Sequence, residues 1–119
     1  ACVLCCKNKI DLKRIDQILK VSREVREDGD YESYASLNQT LHMELWLAAG
    51  NDKLQNMLSE LWNGLSRGMK MHEEEYVRKS LKDHEEIVES IRSGNEVECY
   101  LKMHVHIEES CKNFLLQYT

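Results

Sequence analysis

Proline is absent from the 119 residues, and glycine occurs only five times. Proline removes an amide donor and clashes with the preceding turn, and glycine weakens a helix through its backbone freedom. A chain so poor in both permits long uninterrupted helices. An alternating apolar–polar pattern is missing as well, which leaves no candidate strand. No apolar run approaches the ~20 residues needed to cross a bilayer. No signal peptide is visible, so the expected setting is cytoplasmic and free of membrane. Surplus basic charge is lacking: the formal net charge is −5. Nucleic-acid binding by this segment alone is thereby disfavoured, because phosphate contacts need a net basic face.

Cysteine is present but unframed. Cys2, Cys5, Cys6, Cys99 and Cys111 form an odd set without regular spacing, unlike a secreted disulfide framework. Cys2 and Cys5 stand in a C-x-x-C spacing, but no second pair follows at zinc-ribbon distance, so buried free thiols of a reducing compartment are expected. Hydrophobic residues make up 42%. That content and length suit one continuous core, and no linker, repeat or low-complexity segment divides residues 1–119.

The chain opens with Ala-Cys-Val-Leu-Cys-Cys, read as the end of a helix whose start lies upstream. Asp11 can cap a second helix with Ile15, Ile18, Leu19, Ser22 and Val25 facing inward. Gly29 suits the left-handed position after it, and Asp30 can cap a third helix over about residues 31–49, stopped by Gly50 and Asn51. Asp52 opens a fourth, carrying Leu54, Met57, Leu58, Leu61, Trp62 and Leu65. A fifth runs to Gly94 with a break or bend near residues 71–74, and Asn95 can cap a sixth over about residues 96–116. The run Glu73-Glu74-Glu75 reads as a solvated helix start that suits the macrodipole. The expected fold is all-α, an antiparallel bundle of about six helices with short connections.

Within the stretch LNQTLHMELWLAAGN (residues 37–51), Asn38 and His42 are four apart. With about 3.6 residues per turn they share a helix face, as neighbouring metal ligands do. A hydrogen-bonded core amide and core histidine would share it equally well. His84 lies on the stripe of Leu81, Ile87, Val88 and Ile91. His104 and His106 are two apart, roughly 200° around the axis, so both cannot face one centre, and periodicity alone does not choose between them. Three helices can therefore each send an imidazole inward, and three buried imidazoles are hard to satisfy without a shared purpose. Neutral imidazoles converging with an oxygen ligand suit a divalent metal.

Three ordered motifs make the chain resemble the C-terminal effector domain of GntR-type bacterial transcription regulators, the FCD class. LNQTLHMELWLAAGN matches the family's D-x-x-x-H helix with its small-residue run and Gly-Asn. LKDHEEIVESIRSGN matches its H-x-x-I-x-x-A-I-x-x-G-D helix, and MHVHI matches M-x-x-H-[LI]. REDGDYESYASLN and LSELWNGLSR are also family-like. The resemblance spans nearly the whole chain, and it selects His106, leaving His104 as a packing or outer residue. It implies a domain that senses a small organic-acid effector, in some members through a bound divalent metal. The ligands so implied are Asn38, His42, His84 and His106, with zinc expected and nickel, manganese or iron as other candidates. Asn38 departs from the family, which has aspartate there; a neutral amide should hold the metal less tightly. The family's first helix supplies an effector-clamping arginine, and most of that helix lies outside this chain. Arg67 is the best remaining internal cation, with Ser66 and Asn63 beside it as effector contacts. The resemblance further implies a homodimer, with DNA contacted only through an upstream winged-helix domain. Trp46, Leu47, Leu115, Leu116 and Tyr118 offer apolar surface for the seam.

Two other classes compete. Di-metal helical enzymes use Glu-x-x-His motifs. The residues three before the histidines here are Gln39, Met69, Leu81, Leu101 and Met103. Asp83 and Glu85 flank His84 but point about 100° to either side of it, leaving no base for a metal-bound water. No enzyme activity is expected. The third class is a structural dimerisation bundle whose core histidines are simply filled.

Overall fold

The computed structural model describes residues 1–66 and 74–116, without the side chains of 63–66 and 113–116. Six helices follow one another: α1 (Cys2–Asn8), α2 (Lys13–Glu27), α3 (Tyr31–Ala48), α4 (Asp52–Ser66), α5 (Glu74–Arg92) and α6 (Glu96–Leu116). No strand occurs among the described residues. The all-α antiparallel bundle expected from the periodicity is the observed fold.

Helix ends form where the capping chemistry allows. The N-cap of α2 is Leu12, without a side-chain cap bond, one residue after the Asp11 expected; the Asp11 carboxylate accepts from the Lys13 amide at 2.9 Å just ahead of the helix. Gly29, Gly50 and Gly94 each take φ near +72°, left-handed positions that close α2, α3 and α5. Asp30 accepts from the Ser33 amide at 3.2 Å and starts α3. α4 opens at Asp52, as expected, and Asn51 caps it: its Oδ1 accepts from the Leu54 amide at 3.0 Å. At α6, Asn95 Oδ1 accepts from the Glu98 amide at 3.0 Å, capping the helix, and Asn95 Nδ2 donates to the Glu98 carboxylate at 3.2 Å. Glu74 and Glu75 are exposed in the first turn of α5, as expected, while the break foreseen just before them lies outside the described residues.

The core gathers Ile15, Ile18 and Leu19 of α2, Tyr34, Leu41 and Leu45 of α3, and Val77, Leu81, Ile87, Val88 and Ile91 of α5. Each large aliphatic side chain removed from water contributes on the order of 2 kcal/mol. Short α1 is tied in by polar as well as apolar contacts. The Cys5 thiol donates to the Leu45 carbonyl at 3.3 Å, and Asn8 Nδ2 donates to the Ala49 carbonyl at 3.1 Å, satisfying one of the orphan carbonyls at the end of α3.

One expectation about apolar surface needs correction. Trp46 is buried, packed edge-on against Trp62 with ring centroids 5.9 Å apart, so it is core and not seam. Met57 and Leu61 of α4 are exposed. Among the described residues α4 packs on α3 alone, so only part of its apolar stripe finds cover.

Candidate metal centre

The inward face of α3 repeats every three or four residues: Tyr34, Asn38, Leu41, His42, Leu45. Asn38 and His42 therefore enter the bundle one turn apart, both buried, among aliphatic neighbours. The same rhythm on α5 carries His84 between Leu81 and Val88, and it is equally buried. On α6 the two candidate imidazoles separate as their ~200° offset requires. His106 points in and is 5% exposed. His104 points out, with 55% of its side chain exposed, stacked on Tyr100 and 3.7 Å from the Glu108 carboxylate. His104 is a surface residue with no part in the core, contrary to the packing or outer role expected of it.

The three buried histidines meet. One ring nitrogen from each of His42, His84 and His106 lies within 4.8 Å of the others, and His42 Nε2 is 3.2 Å from His84 Nε2. Two nitrogens each ~2.0–2.1 Å from one zinc-sized ion stand ~2.9–3.4 Å apart, so the observed separation suits a shared cation. Burial pushes the His42 imidazolium pKa down to about 3, with His106 adding repulsion. Burial also holds His84 well below the usual histidine range, with His42 and His106 adding to the effect. Both rings are therefore neutral near pH 7, the form that offers a lone pair to a metal.

Outside the trio, a carboxylate orients one of the rings. His106 Nδ1 is 2.9 Å from Asp83 Oδ2. A carboxylate only accepts, so Nδ1 carries the proton and Nε2 presents its lone pair. The other oxygen of Asp83 accepts from Lys79 Nζ at 2.6 Å, and Lys79 also reaches Glu109 at 3.2 Å. Those bonds, chiefly the one to Asp83, raise the Lys79 pKa. Asp83 does point away from His84 on its own helix, but α6 packs against that side and brings His106 to it. Glu85 turns to the surface and pairs with Arg23 at 3.1 Å. Replacing Asp83 with Asn keeps the shape, but its amide can meet the ring with either end, so the tautomer is no longer fixed. We expect metal affinity to fall by ~10–100-fold, read by competition with a chromophoric chelator. Unchanged affinity would remove Asp83 from the centre.

A second polar layer surrounds Asn38. The Tyr76 phenol shares hydrogen bonds with Ser80, Ser110 and Asn38, and burial raises its pKa. Tyr34 Oη lies 2.8 Å from Ser80 Oγ. On the opposite side, Trp62 of α4 covers His42 with ring centroids 4.7 Å apart, a flat apolar wall beside the imidazoles. Neither Tyr76 nor Trp62 stood out in the sequence, where aromatic residues at helical spacing read simply as core. The expected effector contacts Asn63, Ser66 and Arg67 have side chains outside the described residues.

Buried imidazoles from three helices, one of them oriented by a carboxylate, form a donor set that fits a divalent ion. No curated protein and no solved structure matches the chain. The FCD domain family matches residues 2–109. The chain therefore belongs to the FCD domain family, the C-terminal effector-binding domains of GntR-family regulators.

Proposed function

We propose that this domain senses a small organic acid at a divalent metal held by His42, His84 and His106, with Asn38 as a weaker fourth ligand. The observation that carries the reading is the convergence of three buried imidazoles from α3, α5 and α6 in a chain of this family. Zinc is the metal of choice for a nitrogen-rich set; nickel, manganese and iron are its competitors. The ion supplies positive charge and open coordination positions to an anion. The four protein ligands are all neutral, so a dication would sit in the bundle uncompensated, and a buried net charge is costly. A carboxylate with a neighbouring hydroxyl or second carboxylate would satisfy both needs, its far end reaching toward Asn63, Ser66 and Arg67. Binding would fasten α3, α5 and α6 to one another and bias an upstream DNA-binding domain.

This reading makes the domain a sensor and not a catalyst. Glu-x-x-His pairs are missing from the sequence, and Asp83, the carboxylate beside the trio, is already engaged by His106 and Lys79. The test is calorimetry of the zinc-loaded domain with hydroxy- and dicarboxylic acids, repeated after chelation. Acid binding that survives complete metal removal would overturn it.

The domain further acts as a homodimer. Of the earlier seam candidates, Leu47 is exposed, and the side chains of Leu115, Leu116 and Tyr118 lie outside the described residues. The outer face of α6 adds Val97, Tyr100, Leu101 and Ile107, an exposed apolar stripe of the kind that marks interaction surface. Sedimentation at tens of micromolar should give a dimer, and Leu101→Glu combined with Ile107→Glu should give a monomer. A monomeric parent would refute the assignment.

A further inference from the structure

Three thiols that the histidine centre does not use meet where α1 packs on α6. Cys2 and Cys6 are four residues apart and share one face of α1, while Cys5 on a neighbouring face bonds the Leu45 carbonyl. Cys99 lies in the first turns of α6, fully buried, about two helical turns before His106 on the same helix. It belongs to the same buried cluster as Cys2 and Cys6, on the helix against which α1 packs, and its sulfur interacts with both of theirs. None of these cysteines is joined in a disulfide.

Two occupants fit such a cluster: a soft metal ion or a disulfide. Among the described residues, the histidine trio is the only set of three His, Cys, Asp or Glu donors that closes to within 4.8 Å. The three sulfurs do not close into such a set, yet Cys99 reaches each of the other two. That pattern favours alternative pairs over a cage.

We propose that Cys99 is a two-way disulfide partner, joined to Cys2 or to Cys6 by a hydroperoxide oxidant, and that either bond locks α1 to the helix that carries His106. A thiolate of the pair attacks one peroxide oxygen; the O–O bond breaks, hydroxide leaves and a sulfenic acid forms. The second thiol attacks that sulfur, the S–O bond breaks and water leaves, the hydroxide taking up the remaining proton. Two electrons pass from sulfur to peroxide, which ends as two waters. The unused third thiol can then attack Cys99 and exchange one bond for the other. Burial raises the Cys6 thiol to about 11, so that thiol is protonated at rest and reacts slowly. The lock joins the amino-terminal helix to the sensor helix. Oxidation therefore restrains the same bundle motion that the metal centre is proposed to control, but by chemistry that needs no metal.

Hydrogen peroxide treatment of the metal-free chain, followed by alkylation and tryptic mapping, tests this directly. The expected product is a linked pair of peptides, residues 1–7 with residues 93–102, formed within one chain. Free, alkylated residues 93–102 after the other cysteines have oxidised would overturn the proposal, as would a bond only between copies through Cys111. Cys2→Ser and Cys6→Ser should each retain a link to Cys99, and the double variant should lose it. Loss in either single variant would overturn the two-way assignment. In a Cys111→Ser background, peroxide should raise the melting temperature by about 5 °C or more, reversibly with dithiothreitol, because the bond closes a loop of most of the chain. A linked chain that melts as the reduced one does would overturn the lock.

Discussion

Purified without added metal or a metal-affinity column, the parent domain should carry about one divalent ion per chain, and His84→Ala should carry none. The expectation rests on His84 standing between the other two imidazoles: its ring centroid is 4.9 Å from that of His42 and 4.9 Å from that of His106. Removing the shared neighbour leaves two nitrogens, which cannot complete a tetrahedral site. Affinity should fall at least ~100-fold, the scale on which apparent zinc affinities respond to a lost ligand. The Ala variant also leaves a void beside Leu81 and Val88, so His84→Gln, close in volume and still polar, separates a lost ligand from a loosened core. His104→Ala serves as control, since that ring lies on the surface. Full metal retention by His84→Ala would end the assignment, as would equal loss in the His104 variant.

Asn38→Asp should move metal and anion affinity in opposite directions. A carboxylate in place of the amide brings a negative charge to the dication, so metal binding should tighten by ~10-fold or more; even at an effective dielectric of ~20, unit charges a few ångströms apart interact by several kcal/mol. That same charge occupies the role an organic acid is proposed to fill, so acid affinity should drop by ~10-fold or more. The substitution also has a local cost. Asn38 shares a hydrogen bond with Tyr76, and a carboxylate can only accept where an amide can also donate. The Tyr76 hydroxyl would have to turn, so a melting curve of the metal-free variant is needed alongside the titrations. Calorimetry with the same acids on the parent and on Asn38→Asp decides the matter. Equal acid affinity in both would show that the anion does not compensate the ion's charge.

Much of this protein could be read from the order of its residues. Helices were legible because caps and glycines are local: Asp30, Asn95, Gly29 and Gly94 act on amides and carbonyls within a turn of themselves. Inward faces were legible for α2 and α5, where the apolar stripe is narrow, and that is how His84 was placed. The sequence by itself thus determined an all-α bundle, its helix ends, and the burial of His42 and His84. On α6, apolar side chains occur on several faces, so its inward side depended on a motif resemblance and not on periodicity. Only the tertiary structure decided which side chains from different helices meet. Asp83 reaches His106 across α5 and α6, Tyr76 reaches Asn38, Trp62 covers His42, and Cys99 finds Cys2 and Cys6. Helical rhythm states the angle at which a side chain leaves its own axis, but it carries no information about which neighbour lies at that angle. That neighbour is set by helix packing, where the fit of ridges into grooves fixes the rotation and height of one helix against the next.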